Sequence, residues 1–243
     1  MAQNLLSFIG HLEEFRRRLL LSLTAVMAGA LFCFVFIDEI LSLLMGPIHA
    51  HIGQIYFFSP TDAFVIKIKA ALLAGFLIAS PLIYCELWLF ISPALLPHEK
   101  RAVIPVIFIT SFLFLAGAIF SFFTVLPMTL DFLIGQQTEY LKPMVSMNEY
   151  IGFLSGMVIA FGFAFNLPVI VVSAVAVGFV KVKTLNHYHR HVIVAIFIAA
   201  AVLTPGPDIA SQLMLGLPML VLFEISLAAS WFVERMREGK KSA

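Results

Sequence analysis

Six long apolar stretches organise the chain, at 19–37, 63–91, 102–126, 150–180, 192–203 and 209–233, with polar segments between them. About 20 apolar residues of helix cross about 30 Å of hydrocarbon. The pattern therefore predicts an all-α integral membrane protein with six transmembrane helices. The run from Val192 to Leu203 rises only about 18 Å as helix, so His187–His191 must lengthen it or the bilayer must thin around it. The first stretch follows Arg16, Arg17 and Arg18, as the core of a secretory signal would. Its unbroken run from Leu19 to Ile37 exceeds a signal core of about 7–15 residues, and no small-x-small site follows. It reads as a retained helix.

Prolines fall within the runs at Pro81, Pro105, Pro168 and Pro218. Each removes a helical hydrogen bond and favours a kink. Kinked helices of unequal length predict a curved bundle with a concave side. The whole chain, 1–243, reads as a single six-span membrane domain, with no repeat of 20–50 residues visible.

Composition agrees. Hydrophobic residues make up 61%, charged residues 12%, and mean hydropathy is +1.03. Soluble domains carry about 25% charged residues. The net charge of +1 gives no reason to expect nucleic acid. Cys33 and Cys85 both sit inside apolar runs, so no disulfide is expected.

Charge placement sets orientation. Arg16, Arg17, Arg18, Lys100, Arg101, Lys181, Lys183, Arg190, Arg235, Arg237, Lys240 and Lys241 all fall on one side of the six-span arrangement, twelve of the fifteen Lys and Arg. The opposite side holds Lys142, and Lys67 and Lys69 lie near the start of the second run. The positive-inside rule places both termini in the cytoplasm. Residues 38–62 and 127–149 then form external loops long enough for short surface helices. Thr204-Pro205-Gly206-Pro207-Asp208 makes a tight third turn.

No enzyme motif is present: no G-x-S-x-G, no H-E-x-x-H and no glycine-rich phosphate loop. No cofactor is implied. His187, His189 and His191 alternate in a cytoplasmic loop, where only the 187–191 pair shares a helix face, so no metal site is assigned. The informative charges are acidic residues on the basic face. In His11-Leu12-Glu13-Glu14-Phe15-Arg16-Arg17-Arg18-Leu19, Glu13 with Arg17 and Glu14 with Arg18 are i,i+4 pairs. They fit a solvated helix with local ion pairs worth about 0.3–0.5 kcal/mol each. The alternative reading is a carboxylate available to an external cation. In Phe90 through Arg101, Pro97 suits a helix start, and Glu99 in its first turn complements the helix dipole. Glu86, Asn166 and Glu224 are polar residues within the spans, and an intramembrane carboxylate is functional by default. For Glu86, five residues before Ile91, snorkelling to the interface is the competing account.

These segments resemble the TatC family, the receptor subunit of the twin-arginine protein translocase. The likeness is carried by His11 to Leu19 and by Trp88, Phe90, Pro93, Ala94, Leu95, His98, Glu99, Lys100 and Arg101. Pro47, Ser59-Pro60, Phe161-Gly162 to Pro168, and Leu203 to Ile209 add to it. The resemblance implies a non-enzymatic receptor and scaffold in the inner membrane. It would bind twin-arginine signal peptides of folded cargo, with export driven by the proton gradient. The implied partners are single-span subunits of the TatA and TatB type within membrane lipid, with self-association left open. It also implies that Glu99 meets the arginine pair, that Glu14 is a second acidic position followed by Arg16, and that Phe90 is an aromatic just before the loop. Many members carry Glu where this chain has Asn166, so a role there needs an amide here and not a charge. The competing reading is a secondary transporter of a small solute, built on Glu86, Asn166, Glu224 and the helix-breaking prolines.

Overall fold

The computed structural model describes residues 2–49, 58–92, 103–135, 144–203 and 209–241. Among the described residues the fold is helical: α1 (Ala2–Val35), α2 (Ile37–His49), α3 (Asp62–Ile91), α4 (Val103–Phe120), a π-helical turn (Ser121–Val125), α5 (Leu126–Ile134), α6 (Met147–Ala164), α7 (Leu167–Val177), α8 (Val182–His187), α9 (His189–Leu203) and α10 (Ile209–Lys241). Five helical segments are long and apolar enough to cross a membrane: Gly10–Val35, Asp62–Ile91, Val103–Ile134, Met147–Val177 and Gln212–Phe232. The expected fifth span corresponds to the shorter apolar stretch His189–Ala201 in α9. Large apolar side chains such as Leu31, Phe108, Phe112 and Phe123 point outward. That exposure would be a liability in water and is the natural finish in lipid.

Local chemistry explains the element ends. At Phe36 the amide turns back to the Cys33 carbonyl at 3.0 Å, closing α1. Asp38 and Glu39 then occupy the first turn of α2, where the helix dipole favours acids. The Asp62 carboxylate accepts the amides of Phe58 and Ser59 at 3.1 and 2.9 Å, a capping-box arrangement that starts α3. α7 stops at Gly178, whose φ of 90° suits a residue without Cβ.

Two expectations are corrected. The third run does not end at 126 with a loop beginning at Pro127. The helix passes through the π-helical turn and continues to Ile134, with Pro127 as the second residue of α5. The wider turn just upstream absorbs the proline that would otherwise stop the helix. The prolines also differ in effect. Pro168 marks a real break between α6 and α7, whereas Pro81 and Pro218 lie within unbroken α3 and α10, and Pro105 is the third residue of α4. An early helical position tolerates proline because its amide has no required partner there.

The chain divides into two compact units, Met1–Leu43 with Ala63–Ser111, and Leu44–Asp62 with Phe112–Ala243. The first contains most of α1 and α3. In the second, α10 packs on α7 and α9, and α6 packs on the π-helical turn. Phe114 and Phe163 meet edge-on at 5.5 Å, and Phe120 touches both Phe161 and Phe165. The Tyr150 hydroxyl donates to the Leu44 carbonyl at 2.7 Å.

Candidate functional site

The first unit has a charged cluster at each end of α3. At the start of the helix, Lys67 Nζ meets Asp38 Oδ1 at 2.9 Å. Toward the end, Arg18 Nη1 donates to Glu86 Oε2 at 3.0 Å. Lys67 and Glu86 are 19 residues apart on α3, about 28 Å of helix. That separation is close to the hydrocarbon thickness of about 30 Å. The Lys67–Asp38 pair is exposed and contributes little to stability.

The Arg18 end is built differently. The guanidinium is forked between two carboxylates: Nε and Nη2 donate to Glu14 Oε1 at 3.0 and 2.7 Å, and Nη1 donates to Glu86 Oε2. Glu14 lies one helical turn before Arg18, and Glu86 arrives from α3. All three side chains are largely covered, at 22% exposure for Arg18, 32% for Glu14 and 18% for Glu86. The Glu14–Arg18 pair expected from spacing is present. Among the described residues, Glu13 and Arg17 form no ion pair. Glu86 holds a partner on α1, which spacing alone had not identified. A cavity of about 510 Å³ adjoins this cluster, lined by Gly10, Glu13, Glu14, Arg17, Arg18, Leu21 and Glu86.

One turn further toward the N-terminus, His11 stacks on Phe90 with ring centroids 4.5 Å apart and planes 19° apart. Phe15 adds a tilted contact to the same ring at 5.4 Å. Phe90, near the end of α3, is thereby fastened to His11 and Phe15 on either side of the acidic turn of α1. Aromatic pairs of this kind are worth about 0.5–1.5 kcal/mol beyond area burial. Arg16 is exposed and lines a second cavity with Glu13, Arg17, Leu20, Leu21 and Thr24. Glu99 lies outside the described residues.

The remaining polar candidates lie in the second unit. Asn166 is buried at the α6–α7 break. Its backbone amide bonds to Phe163, three residues back, and its side-chain Nδ2 donates to the Gly162 carbonyl at 3.3 Å. The side chain thus serves the acceptor that the helical amide of residue 166 has left. Glu224 on α10 pairs with His189 Nε2 at 3.1 Å. His187 ends α8 and His189 begins α9, so the break at Tyr188 separates the alternating histidines. Among the described residues no group of three His, Cys, Asp or Glu side chains converges as a metal site.

Sequence reasoning missed the Arg18–Glu86 bond and the His11–Phe90 stack. The available signal was positional, since all four residues lie at the basic ends of the first two spans.

Residues 10–218 match the family described as Sec-independent protein translocase protein (TatC). A TatC protein of Aquifex aeolicus is 37% identical over 235 residues, covering 95% of this chain and 95% of that protein. One of Carboxydothermus hydrogenoformans is 34% identical over 224 residues, covering 92% of each. A crystal structure of a twin arginine translocase receptor, TatC, in DDM superposes with a TM-score of 0.82 at 36% identity, covering 90% of this chain and 99% of that one.

Proposed function

The chain belongs to the TatC family, a multi-pass component of the Sec-independent, twin-arginine translocase and not an enzyme, and from that premise we propose that it is the signal-peptide receptor and core scaffold of that translocase. The observation that carries this reading is the fork of Arg18 between Glu14 and Glu86. Glu14 on α1 and Glu86 on α3 already bind a guanidinium through three charge-assisted hydrogen bonds, two to Glu14 and one to Glu86, the chemistry an arginine pair requires. A carboxylate accepts the planar guanidinium fork, which the ammonium of lysine cannot reproduce. Charge-assisted bonds at a partly covered interface are stronger than the same bonds in bulk water.

In this reading Glu99 and Glu14 receive the two arginines of the peptide. Arg16 and Phe90 complete the surround, and the peptide's apolar stretch lies against the helices. The α9 helix is the fifth of six spans. Both termini and the segment bearing Glu99 face the cytoplasm of the inner membrane, as the basic bias requires. Subunits of the TatA and TatB type assemble with the receptor, and the proton gradient drives export of folded cargo.

The decisive experiment is copurification of the detergent-solubilised protein with a precursor bearing two adjacent arginines. The precursor is retained, and its counterpart with two lysines is lost. Equal retention of both would remove the receptor assignment.

A further inference from the structure

Arg18 occupies the chemistry the proposed receptor offers to its ligand. Its guanidinium sits on Glu14, one of the two carboxylates assigned to the peptide, and on Glu86, to which the family reading gives no binding role. We propose that Arg18 is a built-in occupant of the arginine site, that an incoming peptide guanidinium exchanges with it, and that Glu86 is a further arginine-binding residue. This rests on the receptor reading above.

Three features support exchange over a purely structural ion pair. Arg18 uses only Oε1 of Glu14 and only Oε2 of Glu86, so each carboxylate keeps a second oxygen outside the fork. An incoming guanidinium engages those oxygens before Arg18 leaves, so neither carboxylate is ever bare. That matters because both are mostly covered, and an unpaired charge in such a place is costly. The neighbouring cavity of about 510 Å³ is lined by Glu14, Glu86 and Arg18 themselves, and it falls in the size range of ligand sites. The charge balance also fits. Two carboxylates around one guanidinium leave a net negative cluster inside a basic segment that includes Arg16 and Arg17. That cluster attracts a cation even while Arg18 is seated, and the basic surround rejects cations that cannot make the fork. The internal arginine sets a threshold, because a ligand must bind the two carboxylates better than Arg18 does. Lysine, without a fork, does not reach it.

The test is a titration of the full-length protein in lipid nanodiscs with a fluorescent peptide carrying two adjacent arginines before an apolar stretch. Arg18→Gln removes the competitor and tightens binding by about three- to ten-fold. Glu86→Gln removes an acceptor and weakens it by about ten-fold. The double variant Arg18→Gln/Glu86→Gln binds more tightly than Glu86→Gln alone. It also carries the test if Arg18→Gln does not fold, because only one carboxylate then remains without its arginine.

Weakened binding in Arg18→Gln, with the double variant no tighter than Glu86→Gln, overturns the exchange and leaves Arg18 as a residue that merely positions Glu14. Binding that ignores both Glu14→Ala and Glu99→Ala overturns the receptor reading, and the exchange with it. Binding that depends on Glu14 and Glu99 while the Arg18 variants fail to tighten overturns the exchange alone.

Discussion

Gly29 on α1 and Gly75 on α3 stand backbone to backbone. A Cβ built on Gly29 would lie 2.9 Å from the Gly75 carbonyl oxygen, and one on Gly75 would fall onto the backbone of Gly29 and Ala30. In lipid, where hydrophobic burial does not drive helix pairing, such close approach supplies van der Waals contact. The crossing lies between the two charged clusters and sets how α3 brings Glu86 to Arg18.

Gly75→Ala should therefore destabilise the protein by about 1–3 kcal/mol through overpacking, and Gly75→Leu should abolish a monodisperse fold. Gly156→Ala should be neutral or stabilising, because a Cβ there meets nothing within 4 Å and alanine gains about 0.5–1 kcal/mol in a helix. Thermal unfolding in detergent with size-exclusion profiles checks the contrast. Equal behaviour of Gly75→Ala and Gly156→Ala would refute it.

Recognition should rank the acidic residues. Glu99→Ala weakens a twin-arginine peptide by about 10- to 100-fold, the worth of a charge-assisted pair of about 1.5–3 kcal/mol. Glu14→Ala matches it or falls between it and Glu13→Ala. Glu13 is exposed and outside the Arg18 fork, so its loss has the least effect. Lysines in place of the peptide's arginines should erase much of the ranking. A titration in which Glu99→Ala binds as wild type removes Glu99 from the site.

Topology is checked with single cysteines in a chain lacking Cys33 and Cys85, using an impermeant thiol reagent on intact cells. Cysteines replacing Ser59 and Thr138 should be labelled, and those replacing Leu96 and Thr184 protected. The basis is the concentration of Lys and Arg on one side. Labelling at position 96 in intact cells would reverse the orientation.

Asn166 should need an amide or a hydroxyl. Its Nδ2 bonds to the Gly162 carbonyl at 3.3 Å within the break before Pro168. Asn166→Leu leaves that carbonyl without its side-chain donor, at a cost of about 1 kcal/mol. It should impair transport while peptide binding stays intact. Asn166→Ser can bond back to the same carbonyl, and Asn166→Gln keeps the amide, so both should transport. Wild-type export by Asn166→Leu would strike Asn166 from the functional residues.

The sequence by itself determined the helical content, five of the six expected membrane-length segments with the fifth run shorter than the rest, room for a short helix such as α2 after the first run, and the break at Pro168. These follow from composition over a window and from proline's missing amide, which act along the chain and need no knowledge of neighbours. The Glu14–Arg18 pair was legible for the same reason, since four residues of helix bring those side chains together. Only the tertiary structure decided that Arg18 also reaches Glu86, 68 residues away, and that Phe90 lies on His11. Both depend on where α3 crosses α1. That crossing is set by two glycines whose spacing in sequence carries no period or charge signal. The helical passage through Pro127 was hidden too, because the π-helical turn that absorbs the proline is a local change of winding among otherwise ordinary apolar residues.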